Sequence, residues 1–277
     1  MTILLTIFSQ SKPFNITSSN YLNMNLSKEK KVMLLAAKKA SEVILNYYGK
    51  KEAVKEKANK SLVATADIES NKIIINTIKK SFPHHSILSE ETSFEDNKSD
   101  FKWVIDPIDG THNYLHGIPV FGTSIALEYK NQIVLGVLHF PILCITAIAE
   151  KGKGAFLNGK RIRVSDKKNL NHAILAFEFA YANRKEKTDF LEKLIHKTID
   201  VRNFGSAIYN LMLVACGKCD GYVIHSTHEW DIAAGFLLVE EAGGKVTDLK
   251  GKKWNTAQNK FVISNGKVHK ELLKYLR

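Results

Sequence analysis

Hydrophobic residues follow a helical period at the beginning of the chain and a strand-like pattern in its middle. The helical spacing begins after Ser27 and ends at Gly49, a typical C-terminal signal. A second helix is predicted from Thr65 or Asp67, either of which can cap it, to a stop at Pro83. Apolar, β-branched segments typical of strands lie at 87–88, 103–105, 121–128, 132–140 and 143–149.

From about residue 170 the pattern changes to alternating strands and helices. Strands are predicted at 173–179, 199–202, 221–225 and 261–264, and helices at 185–196, 206–216, 232–242 and 268–276. This alternation indicates α/β layering in the second half, against a more antiparallel sheet in the first. We therefore predict two halves, 26–168 and 169–277, packed as one unit, preceded by a disordered N-terminal extension over 1–25.

The lysine-rich stretch 50–60 between the first two helices has two interpretations. It is either a solvated linker or a mobile basic flap over an anionic ligand. The whole chain of 277 residues has a net charge of +12, which favours anionic partners such as phosphorylated metabolites or nucleic acid. No apolar run approaches the roughly 18 residues that a membrane span needs, so no membrane association is predicted.

The three cysteines are too few for a disulfide framework. Cys216 and Cys219 have the spacing of a redox or metal pair, but no second pair accompanies them. A structural role at a buried helix end is the simpler interpretation. A reducing, cytoplasmic location is predicted.

The segment with the most evident chemistry is Trp103–Thr111, which reads WVIDPIDGT. A short buried strand delivers Asp106 and Asp109 around a proline and before a glycine, so the chain should leave the strand there. Two carboxylates so close together are costly unless a cation or a proton lies between them. Oxygen donors favour Mg²⁺ or Mn²⁺ over zinc. A plain Asp-Pro turn is the alternative.

Other acids also stand at predicted element boundaries. Asp67 lies at a helix start, Glu90 follows a strand, and Asp231 opens a helix. Each has a structural explanation by itself, since acids cap helices and complement their dipoles. Sequence spacing alone does not show that they converge.

The segment that begins at Trp103 resembles the first signature of the inositol monophosphatase family, within the Mg²⁺-dependent, lithium-sensitive type of phosphatases. The run WDIAAG from Trp230, followed by EAGG from Glu241, resembles the second signature. The resemblance extends over roughly 27–277. It implies a five-layer αβαβα sandwich of the α/β (α+β) class, usually a homodimer. The implied activity is hydrolysis of a small phosphorylated metabolite, inositol monophosphate or a similar polyol or sugar phosphate, by metal-activated water.

The resemblance also implies roles for individual residues. The metal ligands would be the carboxylates of Glu90, Asp106, Asp109 and Asp231 and the carbonyl of Ile108, holding two or three Mg²⁺ ions, with Mn²⁺ as a possible substitute. Thr111, paired with Asp67, would orient and deprotonate the attacking water. Substrate contacts would come from Gly110, Thr111, Ser206, His228 and Asp231.

Two departures from the family pattern leave the substrate open. Family members that take inositol phosphate carry a glutamate where this chain has Ile224, whereas the Glu-Trp-Asp ending at Asp231 is similar to 3′(2′),5′-bisphosphate nucleotidases. A nucleotidase acting on 3′-phosphoadenosine 5′-phosphate is therefore an alternative. An alternative of another class is a regulatory protein that associates with the transcription machinery or nucleic acid.

Overall fold

The structure is a computed structural model that describes residues 24–50, 54–56, 62–179, 184–255 and 258–276. Apart from Met24 and Asn25, the predicted N-terminal extension over 1–25 lies outside the described residues. Of the basic stretch 50–60, residues 54–56 form a short strand that pairs antiparallel with 62–64, where a loop was predicted. None of the helices in these ranges is long and apolar enough to cross a membrane.

The described residues form the following helices and strands. The helices are α1 (Ser27–Tyr47), α2 (Thr65–Ser81), α3 (Thr111–Leu115), α4 (Arg184–Ile195), α5 (Ala207–Ala215), α6 (Glu229–Glu241) and α7 (His269–Tyr275). The strands of the first half are β1 (Val54–Glu56), β2 (Leu62–Ala64), β3 (Ser86–Ser89), β4 (Thr92–Glu95), β5 (Phe101–Asp109), β6 (Gly122–Tyr129), β7 (Gln132–Phe140), β8 (Ile145–Glu150), β9 (Gly154–Leu157) and β10 (Lys160–Arg161). Those of the second half are β11 (Ile174–Phe177), β12 (Asp200–Asn203), β13 (Gly221–Ile224), β14 (Lys245–Asp248) and β15 (Phe261–Ser264).

Two large sheets carry the fold. The first has eight strands in the order β10-β9-β8-β7-β6-β5-β3-β4, all antiparallel except the parallel pair β3 and β5. The second has five strands in the order β12-β11-β13-β15-β14, in which β12, β11 and β13 are parallel and the other two pairs antiparallel. The predicted contrast between an antiparallel first half and an α/β second half is confirmed.

Three hydrophobic clusters define five layers. Helices α1 and α2 pack on one face of the eight-stranded sheet through residues such as Met33, Ile74 and Trp103. Helices α5 and α6 fill the space between the two sheets. Helices α4 and α7 cover the outer face of the five-stranded sheet, where Phe190 and Leu272 are buried. The predicted αβαβα sandwich is therefore confirmed, and apolar burial on both faces of each sheet stabilises it.

The central layer is packed closely enough to fix α6 against the first sheet. A Cβ at Gly136 of β7 would lie 2.9 Å from the Cα of Ala234 on α6, so only glycine permits this approach. Cys219 is buried in the hydrophobic cluster of the same layer, and the partly buried Cys216 packs against that cluster. The pair therefore lies in a hydrophobic core, as the structural interpretation predicted.

Candidate active site

Strand β5 is longer than the sequence predicted, and its end positions two buried acids. Pro107 does not stop the strand, which continues to Asp109 with an irregular register against β6 between Asp106 and Asp109. Such a bulge re-aims side chains without ending the sheet. The carbonyl of Pro107 accepts a hydrogen bond from Thr123 Oγ1 at 2.8 Å, which ties the bulge to β6. Asp106 and Asp109 are consequently held 1% and 8% exposed.

Gly110 makes the transition from β5 to the short helix α3. Its φ of +84° is in the left-handed region, and a Cβ there would lie 2.9 Å from the carbonyl oxygen of Val120. Only glycine satisfies both conditions. Thr111 is thereby the first residue of α3, and its Oγ1 donates to the Ile108 carbonyl at 3.0 Å.

Asp109 is anchored by the N-terminus of α5 in the second half of the chain. Its carboxylate accepts hydrogen bonds from the Ser206 hydroxyl and from the backbone N–H groups of Ala207 and Ile208, at 3.2 and 3.3 Å for the latter two. Ser206 is also the N-cap of α5, because its Oγ accepts from Tyr209 N at 3.2 Å. Ser206, a predicted substrate contact, thus forms a hydrogen bond with Asp109, a predicted metal ligand.

Asp231 reaches the same place from the first turn of α6. Its Oδ2 accepts from Thr227 Oγ1 at 2.9 Å and from the backbone N–H of His228 at 2.8 Å. These bonds hold the carboxylate at the helix start, where the dipole favours a negative charge. The exposed imidazole of His228 stacks on Trp230, with ring centroids 4.7 Å apart, at the rim of the site.

The three aspartates converge. Asp106, Asp109 and Asp231 each offer an oxygen atom within 4.8 Å of the others, the only such group of metal-ligating side chains in the described ranges. No group that the structure describes forms a hydrogen bond with Oδ1 of Asp106, although that atom is buried. A buried, unpartnered carboxylate oxygen beside two further carboxylates fits a bound cation, which would satisfy it and neutralise the cluster.

The pKa values of the three aspartates also indicate a cation site. Desolvation, reinforced first by the charge of Glu90 and then by that of Asp109, raises the pKa of Asp106 well above its usual value. Desolvation raises the pKa of Asp109 to about 8 even though the Ser206 hydrogen bond lowers it. The pKa of Asp231 is raised as well, again mainly by desolvation. All three shifts favour the protonated form, because several negative charges are buried together, and a bound cation would offset that cost.

Two further predicted residues lie at the edge of the cluster. Glu90 follows β3, and its backbone N–H bonds to the Ile105 carbonyl of β5 at 3.1 Å. Asp67 is buried in the first turn of α2, where its Oδ2 accepts from Ala64 N at 2.8 Å. Ala64 is therefore the N-cap residue, rather than Thr65 or Asp67. The negative charges of both acids raise the pKa of Asp106, so both lie within electrostatic range of it.

The structure adds one acid that the sequence analysis missed. Glu178 follows β11 directly, and its charge raises the pKa of both Asp109 and Asp231. Its Oε2 accepts from the Tyr222 hydroxyl at 2.7 Å. The available signal was an acid that interrupts the apolar stretch 173–179, where the strand pattern would favour another apolar residue.

Comparison with known proteins agrees with this geometry. The profile of the inositol monophosphatase family matches residues 25–277. The fructose-1,6-bisphosphatase/inositol-1-monophosphatase of Thermotoga maritima is 40% identical over 238 residues, which cover 86% of this chain and 91% of the relative. The Nus factor SuhB of Escherichia coli K12 is 36% identical over 252 residues, covering 89% and 94% of the two chains.

Solved structures of similar proteins share the fold. The extragenic suppressor protein suhB of Bartonella henselae superposes with a TM-score of 0.88 at 35% identity, covering 91% of this chain and 99% of that chain. An IMPase of Thermotoga maritima gives a TM-score of 0.85 at 37% identity, covering 90% and 96%. On fold, signatures and full-length similarity, this chain belongs to the inositol monophosphatase family.

Proposed function

We propose that this protein is a Mg²⁺-dependent phosphomonoesterase that hydrolyses inositol monophosphate or a similar polyol or sugar phosphate. One observation carries the proposal: oxygens of Asp106, Asp109 and Asp231 converge within 4.8 Å of one another, and Oδ1 of Asp106 has no hydrogen-bond partner among the described residues. The family and the relatives with phosphatase names support a phosphatase activity at this cluster.

The donor set is made of oxygen atoms, which favours Mg²⁺, with Mn²⁺ as a substitute. Asp106, Asp109 and Asp231, together with Glu90 and the Ile108 carbonyl, would hold two or three ions. When bound, the ions neutralise phosphate charge, lower the pKa of water and stabilise the leaving alkoxide.

Thr111 and Asp67 are proposed to orient and deprotonate the attacking water. In the structure the Thr111 hydroxyl donates to the Ile108 carbonyl. The role requires that hydroxyl to turn toward Asp67, which also releases the Ile108 carbonyl oxygen as a ligand. Asp67 is buried, and its charge raises the pKa of Asp106, as expected if the two carboxylates belong to one site.

The substrate contacts remain proposals with different structural support. The backbone amides of Gly110 and Thr111 lie at the turn after β5 and are proposed to hold phosphate oxygens. Ser206 would act through its bond to Asp109, and His228 and Asp231 from the start of α6. A homodimer in the cytoplasm, predicted from the resemblance and the cysteines, stays a prediction.

Two alternatives have specific observations in their favour. The stacked rings of His228 and Trp230 beside Asp231 resemble an aromatic platform for a nucleotide base, which favours the nucleotidase. Relatives named Nus factor SuhB, together with the net charge of +12, favour a regulatory role with an anionic partner.

The experiment that separates these functions is a phosphate-release panel on the full chain with Mg²⁺. The substrates are myo-inositol 1-phosphate, fructose 1,6-bisphosphate, NADP and 3′-phosphoadenosine 5′-phosphate. We expect the highest kcat/KM for myo-inositol 1-phosphate. A dominant release from 3′-phosphoadenosine 5′-phosphate would replace the proposal by the nucleotidase, and no release from any substrate would reject the catalytic function.

A further inference from the structure

Glu178 lies on the same side of the second sheet as the candidate active site. Strands β11 and β13 are parallel, with Ala176 opposite Tyr222. Continuing this register by two residues places Glu178 beside Ile224, at the carboxyl ends of both strands. Because side chains alternate along a strand, Glu178 projects from the same face as Ala176, Tyr222 and Ile224. That face lines the layer between the two sheets, which also contains α5.

The carboxylate of Glu178 is held in place by a hydrogen bond from its own sheet. The Tyr222 hydroxyl donates to its Oε2 at 2.7 Å, and the side chain of Lys187 in α4 is fully buried nearby. Desolvation raises the pKa of Glu178 above its usual value, although the Tyr222 hydrogen bond and the charge of Lys187 partly offset this rise. Glu178 itself is only half-buried. An acid that is ordered by a hydrogen bond from Tyr222 and only half-buried is suited to accept hydrogen bonds from a ligand.

The position of Glu178 relative to the aspartates distinguishes it from the metal donors. Its charge acts on Asp109 and Asp231, so it lies within electrostatic range of both. It is nevertheless outside the group of three whose oxygens approach within 4.8 Å. Ile224 beside it offers only aliphatic atoms. At this end of the two strands, Glu178 therefore supplies a hydrogen-bond acceptor, whereas the neighbouring Ile224 side chain supplies none.

We propose that Glu178 is a specificity-determining residue that accepts hydrogen bonds from hydroxyl groups on the alcohol portion of a polyol or sugar phosphate whose phosphate lies at the aspartate cluster. The inference rests on the proposed phosphomonoesterase function. A carboxylate attracts hydroxyl donors and repels anions, so a second phosphate on this side of the substrate is disfavoured. This selects neutral polyhydroxylated alcohols over bisphosphates.

The test compares two substrates that share a phosphate but differ in hydroxyl groups. We measure kcat and KM with Mg²⁺ for myo-inositol 1-phosphate and phenyl phosphate, and take the ratio of their kcat/KM values. In Glu178→Ala this ratio should fall by about 10- to 100-fold, mainly through the KM for inositol phosphate, because a hydrogen bond to a charged group is lost. Glu192→Ala, which removes an exposed acid of α4, is the matched control and should keep the wild-type ratio.

Two further variants distinguish a direct contact with the substrate from a general effect on folding. Glu178→Gln retains an acceptor for Tyr222 but loses the charge, so it should fold and show a smaller fall of the same ratio. Tyr222→Phe removes the hydroxyl that orients Glu178 and should lower the ratio in the same direction. A positioning effect through the core would instead lower the melting temperature and affect both substrates alike.

The outcomes separate this inference from the proposed function. An unchanged ratio in Glu178→Ala and Glu178→Gln, or an equal loss with both substrates, overturns the role of Glu178 while leaving the phosphatase intact. A higher Mg²⁺ concentration for half-maximal activity in Glu178→Gln, with both substrates, would make Glu178 a metal ligand instead. Absence of Mg²⁺-dependent release from either substrate in the wild type overturns the proposed function and this inference together.

Discussion

Among single residues, Asp109 shows most clearly how the fold prepares a cation site. Three donors at the start of α5 bind its carboxylate, yet desolvation still raises its pKa to about 8. In the unfolded chain an aspartate titrates near ~3.9. At this residue the folded, metal-free protein therefore binds more protons than the unfolded chain between about pH 4 and 8, so the contribution of Asp109 to stability falls as pH rises through that window.

Buried histidines oppose this trend at lower pH. Desolvation lowers the pKa of His225 and His269 to about 4, so their contribution is fully present only above the unfolded value of about 6.5 and is lost as pH falls. Between about pH 6.5 and 8 the contribution of these histidines is constant, so the pH dependence of stability in this interval reports on the aspartates.

We predict that the melting temperature of the metal-free protein falls from pH 6.5 to pH 8. Mg²⁺ should raise it more at pH 8 than at pH 6.5, because the cation takes the place of the protons. Differential scanning calorimetry in chelator and in Mg²⁺ measures both effects. Asp109→Asn should flatten the pH dependence, whereas Asp96→Asn, at an exposed acid, should not. A melting temperature that rises over this interval in chelator would contradict the assignment.

At the scale of elements, a partly buried ion network ties α6, which carries Asp231, to the first sheet. Lys102 of β5 lies 2.7 Å from Glu229 in the first turn of α6 and 3.1 Å from Glu128 of β6. The three side chains are between 7% and 19% exposed. The network therefore fixes the start of α6, and with it Asp231, against the strand that carries Asp106.

We predict that Lys102→Met destabilises the protein by about 3 kcal/mol, because it leaves Glu128 and Glu229 facing each other without their cation. It should also raise the Mg²⁺ concentration for half-maximal activity. Urea unfolding and a Mg²⁺ titration measure the two effects. The matched control is Lys79→Met, whose pair with Glu95 is about 40% exposed and should cost less than about 1 kcal/mol.

Charge relief distinguishes this explanation from simple loss of packing. Adding Glu128→Gln to Lys102→Met removes one of the two facing acids and should recover part of the lost stability. Equal stability of the single and double variants, or equal losses in Lys102→Met and Lys79→Met, would show that the network does not brace α6.

The same elements show which parts of the fold can be predicted from sequence. Helix α1 and strands β6 and β7 bury long apolar patterns, and the predicted elements match them closely. Strands β4 and β14 were not predicted, because both are four-residue edge strands with little buried apolar surface. Pro107 was expected to end β5, but a bulge accommodates it within the strand.

At the scale of the whole molecule, the site depends on contacts that no local pattern contains. The spacing of Asp106 and Asp109 predicts a carboxylate pair, and the family resemblance adds Glu90 and Asp231. Only the packing of α6 between the sheets brings Asp231 to that pair. Glu178 has no motif at all, since it depends on the register between β11 and β13.

The most direct test of a metal-dependent phosphatase is phosphate release from myo-inositol 1-phosphate while Mg²⁺ is titrated into chelator-treated, full-length protein. We predict no release above background without Mg²⁺ and saturable activity with it. Asp106→Asn should lower kcat/KM by at least about 100-fold while keeping the wild-type circular dichroism spectrum, because an amide is a poor ligand. Asp96→Asn should match the wild type. Undiminished release in chelator, or wild-type activity in Asp106→Asn, would contradict the metal-dependent mechanism at this aspartate cluster.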